Sequence, residues 1–129
     1  IAIFTAAVAD VSPKNFFKTK RKKENFKKIN LKINKDILYK TASLKKNRPK
    51  IVIGFAAETT DPIKNAKIKL IKKKCDAIIV NKIDKRNKVF GSDMNKISII
   101  TKDKILNFKK TTKTNVAKNI TTFINKITL

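Results

Sequence analysis

The sequence has 129 residues, with 33 Lys plus Arg against 9 Asp plus Glu, and at that length a 41% apolar fraction supplies one folded core and argues against wholesale disorder. Its formal charge of +24 comes without histidine and with a single cysteine, Cys75, which excludes histidine triads, imidazole acid–base chemistry, internal disulfides and the usual zinc ligand sets. No apolar run approaches the roughly 20 residues that span a bilayer, and no basic lead precedes IAIFTAAVAD, so a soluble cytoplasmic protein is expected.

The chain opens on Ile1, without Met, in an apolar run that reads as a buried strand and suits the C-terminal part of something longer. Periodicity then dissolves into a loop over about residues 12–26, where Lys20, Arg21, Lys22 and Lys23 form a basic run. KKINLKI alternates, as a half-buried strand would, with Ile29, Leu31 and Ile33 on one face. Asn34 is placed to cap a helix through about Lys46, with Ile37, Leu38 and Leu44 facing inward, and Pro49 blocks its continuation. KIVIGFAA is continuously apolar, the pattern of a strand covered on both faces. Asp61 and Pro62 then start a helix with Ile63, Ala66, Leu70 and Ile71 at helical spacing. DAIIVN is a short buried strand, residues 96–101 another, and an edge strand follows near 105–108. The last helix buries Val116, Ile120, Phe123, Ile124 and Ile127. Strands alternating with helices predict an α/β fold with a mainly parallel sheet covered on both faces, whose ligands sit beyond the C-terminal strand ends.

The basic excess invites a nucleic-acid reading, because cationic surfaces gain affinity by displacing phosphate counterions. Yet 30 of the 33 basic residues are Lys, and Lys, Ile and Asn together fill 63 of the 129 positions, a bias that A- and T-rich codons produce without selection for a partner. Nucleic-acid surfaces favour Arg and interleaved aromatics, so nucleic acid is not the expected partner. At the strand exits, Asp10 is either a turn-former or a carboxylate for a metal-phosphate or ribose hydroxyl. Lys69 and Lys73 stand one helical turn apart, unfavourable unless an anion lies between them, although chance alone gives this spacing in a Lys-rich chain. Phe55, between Gly54 and two alanines, is either core or a wall for a flat base; Cys75 reads as a packed, inert thiol.

Taken in order, AAVAD at 6–10, KRKK at 20–23, NKDIL at 34–38, GFAAET at 54–59, the Lys69 and Lys73 pair, DAIIVN at 76–81 and FGSDMN at 90–95 resemble phosphopantothenate-cysteine ligase. That coenzyme A biosynthesis enzyme is often fused in bacteria behind a flavin-dependent decarboxylase. The resemblance covers essentially the whole chain. It implies a Rossmann-like three-layer sandwich that is N-terminally incomplete, residues 1–129 being the CTP-binding portion of the ligase domain. It implies joining 4′-phosphopantothenate to cysteine through an acyl-cytidylate, with CTP as co-substrate, Mg²⁺ as cofactor and release of CMP and pyrophosphate. FMN would then sit only on a fused decarboxylase domain outside this chain, and a homodimer is implied.

Carried over by motif, Asp10, Lys20, Lys35, Asp36, Ile37, Leu38, Phe55, Lys69 and Lys73 match the CTP-contacting positions. Lys20 is the catalytic lysine of a mobile loop, and Ala6 and Asn81 are further substrate-contact candidates. The chain departs from the family pattern where Lys-Ile-Lys-Lys becomes KRKK, with the register at Lys18–Arg21 as an alternative. It departs again where Asn-Pro-Asp becomes Asn34, Lys35, Asp36, and where the Asp after Asn81 becomes Lys82. The family's Gly-rich phosphate turn and catalytic asparagine have no counterpart, so activity needs the missing segment. The rival readings are a basic RNA-binding or ribosome-associated protein and a non-catalytic remnant of the ligase.

Overall fold

A computed structural model of the chain describes residues 1–20, 22, 28–83 and 91–128. Arg21 and Lys23 of the basic run, residues 23–26 of the expected mobile loop, and Phe90 of FGSDMN lie outside the described residues.

The two most apolar segments form the centre of a five-stranded sheet. Strand β4 (Val52–Glu58) pairs in parallel with β1 (Ala2–Phe4) on one side and with β5 (Ala77–Lys82) on the other. Strand β7 (Ile97–Ile100) runs antiparallel to β5, and β8 (Ile105–Asn107) antiparallel to β7, giving the order β1-β4-β5-β7-β8. Four of these five strands therefore point the same way, and β7 alone is reversed. Both faces are covered, because side chains alternate across a strand and both sets here are apolar. Ile53, Ile79, Ile97 and Ile99 pack under α3 (Lys113–Thr128), which contributes Val116, Ile120, Phe123 and Ile124. On the opposite face Val52, Ala56, Ile78, Val80 and Ile100 pack against Ala42 of α1 (Ile37–Ala42) and Ala66 and Leu70 of α2 (Pro62–Lys73). The fold is an α/β Rossmann-like three-layer sandwich, as expected. No described helix is long and apolar enough to cross a membrane.

Several elements depart from expectation for identifiable reasons. The opening segment is an edge strand with Ile1 and Ile3 exposed, because only β4 pairs with it among the described residues. The alternating segment supplies β3 (Leu31–Ile33), but it leaves the main sheet and pairs antiparallel with β2 (Val11–Pro13) as a two-stranded ribbon. Ile29, Leu31 and Ile33 face outward, Ile33 being 87% exposed; alternation fixes which residues share a face, not what covers it.

Helix α1 is only six residues long, and both Ile37 and Leu44 are exposed. It ends at Ser43 because Arg48 donates from Nε to the Ala42 carbonyl at 2.8 Å, and Asn47 adopts a left-handed conformation ahead of Pro49. Ile71 and Ile127, expected on the buried faces of α2 and α3, are exposed. Near the start of α3, β6 (Met94–Asn95) and β9 (Thr111–Thr112) form a short antiparallel pair that no sequence pattern announced. Asp76 fixes the lower end of the sheet: its Oδ2 accepts from the Val52 N–H at 2.7 Å and from Arg48 at 3.0 Å.

Candidate ligand-binding site at the strand exits

Parallel pairing of β1 and β4 brings their C-terminal ends to one edge of the sheet, where the chain must turn away from both. Beyond that edge lies a cavity of about 470 Å³, lined by residues 3–10 and 34–38 together with Phe55, Lys69, Lys73 and Ile78. The small side chains of Ala6, Ala7 and Ala9 leave the backbone of its wall open to a close approach. Asn34 holds that wall to the start of α1. Its Nδ2 donates to the Ala9 carbonyl at 2.9 Å, its Oδ1 accepts from Ser12 Oγ at 2.8 Å, and its N–H donates to the Asp10 carbonyl at 2.8 Å. Asn34 is therefore a cross-link and not the N-cap it was expected to be. Asp36 caps α1 instead, its Oδ1 accepting from the Tyr39 N–H at 2.9 Å.

Cationic groups enter from α2. Residues 65, 69 and 73 recur at four-residue spacing and so share one helix face. Each lysine has its own carboxylate, which removes the like-charge conflict that the spacing implied. Lys69 Nζ donates to Glu58 Oε1 at 2.6 Å, and Lys73 Nζ donates to Asp36 Oδ2. Burial pushes the Asp36 carboxyl up, but the hydrogen bonds from Lys73 and from the Tyr39 N–H outweigh it and hold Asp36 below its ordinary value. Asp36 is thus an anion at neutral pH that fixes the Lys73 ammonium at the cavity wall. An ammonium has three donors, so each lysine keeps N–H groups for a bound anion after meeting its carboxylate.

Of the residues singled out from sequence, the cavity gathers Ala6, Asp10, Lys35, Asp36, Ile37, Leu38, Phe55, Lys69 and Lys73. Lys20 and Asn81 are not in its lining. Lys20 lies exposed on the segment after β2. Asn81 sits in β5 with its Oδ1 buried and without a hydrogen-bond partner among the described residues. Sequence reasoning missed Glu58 and Asn65. Glu58 terminates a strand inside GFAAET, and Asn65 begins the ladder that continues through Lys69 and Lys73; those two signals together could have found them. Cys75 takes no part, because it is buried away from this cavity, and burial pushes its thiol up to about 11, leaving it protonated and inert. Among the described residues no group of three or more His, Cys, Asp or Glu side chains could hold a metal ion.

The family model for the DNA/pantothenate metabolism flavoprotein C-terminal domain matches residues 1–128. The bifunctional coenzyme A biosynthesis protein CoaBC of Borreliella burgdorferi is 42% identical over 123 residues, which is 93% of this chain and 30% of that protein. A cysteine/cysteine sulfinic acid decarboxylase from an unknown prokaryotic organism is 38% identical over 122 residues, 93% of this chain and 34% of that protein. A solved C-terminal domain of a CoaBC protein superposes with a TM-score of 0.72 at 28% identity, over 98% of this chain and 55% of that one. The DNA/pantothenate metabolism flavoprotein of Streptococcus pneumoniae shares the fold alone, with a TM-score of 0.62 at 19% identity, over 93% of this chain and 57% of that one. The chain spans about a third or less of the curated relatives it matches.

These findings correct the expected CTP-dependent ligase. The matching family is named for a flavoprotein, and the one activity spelled out among these relatives is a decarboxylation. The ligase family, the acid–amino-acid ligase activity, and CTP, cysteine and Mg²⁺ as partners are therefore not carried forward. Placing FMN on a domain outside this chain is not retained either, because the matching domain itself bears the flavoprotein name. Phe4 and Phe55 line the cavity while packing against the two hydrophobic cores, and the two α2 lysines there are each held by a carboxylate. What stands is membership: the chain belongs to the DNA/pantothenate metabolism flavoprotein C-terminal domain family.

Proposed function

We propose that the chain is the part of a coenzyme A biosynthesis protein that holds a phosphorylated pantothenate ligand, represented by 4′-phosphopantothenoylcysteine, in the cavity at the strand exits. The observation that carries this reading is the pair of carboxylate-anchored lysines on one wall of a mostly apolar cavity. A phosphate needs fixed cationic donors, and the uncharged pantothenoyl chain needs apolar walls such as Ile3, Phe4 and Leu38. The family match and the coenzyme A biosynthesis proteins among the relatives support a pantothenate derivative over other phosphate esters.

Decarboxylation, the activity in one relative's name, leaves an electron pair that some group must accept. In this reading the chain binds and orients the ligand, and the reacting carboxylate is met by the remainder of the longer protein. Isothermal titration of the protein tests the reading. Binding of 4′-phosphopantothenoylcysteine that weakens at least about 50-fold when the phosphate is removed supports it, since two charge-assisted contacts are lost. Equal affinity for the phosphorylated and dephosphorylated compounds would overturn it.

Gly54 gives an independent check. A Cβ there would lie 2.5 Å from Leu38 Cδ2 and 3.0 Å from Ile78 Cδ1. Because Leu38 lines the cavity, relief of that clash drives its side chain into the ligand's space. Gly54→Ala is expected to cost roughly 1–3 kcal/mol of stability by overpacking and to weaken ligand binding about tenfold. Thermal unfolding and titration of the same variant read the two effects separately.

A further inference from the structure

We infer that Glu58 and Asn65 form a positioning pair that fixes the Lys69 ammonium at the cavity wall, an inference that rests on the ligand-holding role of Lys69 given above. Glu58 ends β4 and is outside the cavity lining, while Lys69 is within it. The carboxylate is the better buried partner, its side chain 14% exposed against 43% for Lys69. It is also held from behind: Asn65 Nδ2 donates to Glu58 Oε2 at 3.0 Å, and the same amide donates to the Thr60 carbonyl at 2.9 Å. One carboxylate oxygen thus meets Asn65 and the other meets Lys69, so the amide sets the plane of the carboxylate and the carboxylate sets the ammonium.

The pair solves a definite problem. A lysine side chain carries about 2 kcal/mol of rotamer freedom, which a ligand would otherwise have to remove on binding. Glu58 removes much of it in advance, at the cost of a negative charge behind the ammonium. Asn65 has no formal charge, so its contribution can be tested without altering the electrostatics of the cavity. The second lysine uses a different device, since its carboxylate partner, Asp36, is both the cap of α1 and part of the lining.

Two measurements on Asn65→Ala test the inference. In the ligand-free protein, NMR relaxation of the Lys69 side chain is expected to show a clear loss of order in the variant. In titrations, Asn65→Ala is expected to weaken 4′-phosphopantothenoylcysteine binding about fivefold, with no further effect in a Lys69→Gln background. A merely structural role would instead lower the unfolding midpoint and act equally in both backgrounds. Unchanged order of Lys69 in Asn65→Ala overturns the inference whether or not the ligand binds. A loss of order in a protein that binds no phosphorylated pantothenate compound overturns the ligand reading and leaves the positioning pair standing.

Discussion

Replacing both Lys69 and Lys73 by Gln is expected to weaken binding of 4′-phosphopantothenoylcysteine at least about 100-fold, and to leave its dephosphorylated form nearly unaffected. A charge-assisted hydrogen bond contributes roughly 1.5–3 kcal/mol, and each lysine supplies one such partner to the phosphate. Both are anchored already, Lys69 by Glu58 and Lys73 by Asp36, so little conformational cost offsets the contact. Loss of the lysines also leaves Asp36 in the lining, and Glu58 behind it, unneutralised, which adds repulsion to the lost attraction. The single variants are expected to fall short of half the double effect in free-energy terms, because either remaining lysine can shift toward the phosphate. Titration of all three variants with both compounds reads this out.

The second large effect is on the fold. Ile79→Ala is expected to destabilise the protein by about 2–5 kcal/mol, a large share of the roughly 5–15 kcal/mol that holds a domain together. Ile79 is fully buried in β5, between β4 and β7, where it packs under the helix that carries Ile120, Phe123 and Ile124. Removing its outer carbons opens a cavity between sheet and helix that neither neighbouring strand can close without breaking its own register. Equilibrium urea unfolding is the readout: the midpoint should fall with the slope unchanged.

The parts of the fold that the sequence makes legible are those where burial dominates. Strands β4, β5 and β7 are apolar on both faces, and α3 repeats Val116, Ile120, Phe123 and Ile124 on one side, so their places in a three-layer sandwich follow directly. Where burial does not dominate, local pattern misleads. Leu31 and Ile33 alternate as a half-buried strand does, yet among the described residues they pair only with β2 and stay exposed. Leu44 continues the apolar spacing of α1, but a side chain far along the chain from that helix's start, Arg48, closes its last turn first.

The site divides in the same way. Nine of the singled-out residues meet at one cavity, because parallel pairing of β1 and β4 places the exits of those two strands on the same edge. Lys20 and Asn81 do not join them, since motif order gives no distance between a loop and a strand end. Glu58 and Asn65 escaped notice because their role depends on a contact across the turn from β4 into α2, which spacing along one helix does not reveal. The motif strings led to a family named for pantothenate metabolism, and nine of the residues they singled out line one cavity. The activity attached to them did not survive comparison, and the chain spans about a third or less of the curated relatives it matches.

The central claim is that a phosphorylated pantothenate ligand occupies the cavity between residues 3–10, residues 34–38 and the lysine face of α2. Backbone amide NMR of the protein during titration with 4′-phosphopantothenoylcysteine tests it most directly. Shifts concentrated at Ala6, Asp10, Lys35, Leu38, Phe55, Lys69 and Lys73 are the predicted result. Shifts concentrated instead around Lys50, Lys102 and Lys104 at the opposite edge of the sheet, or none at saturating ligand, would contradict it.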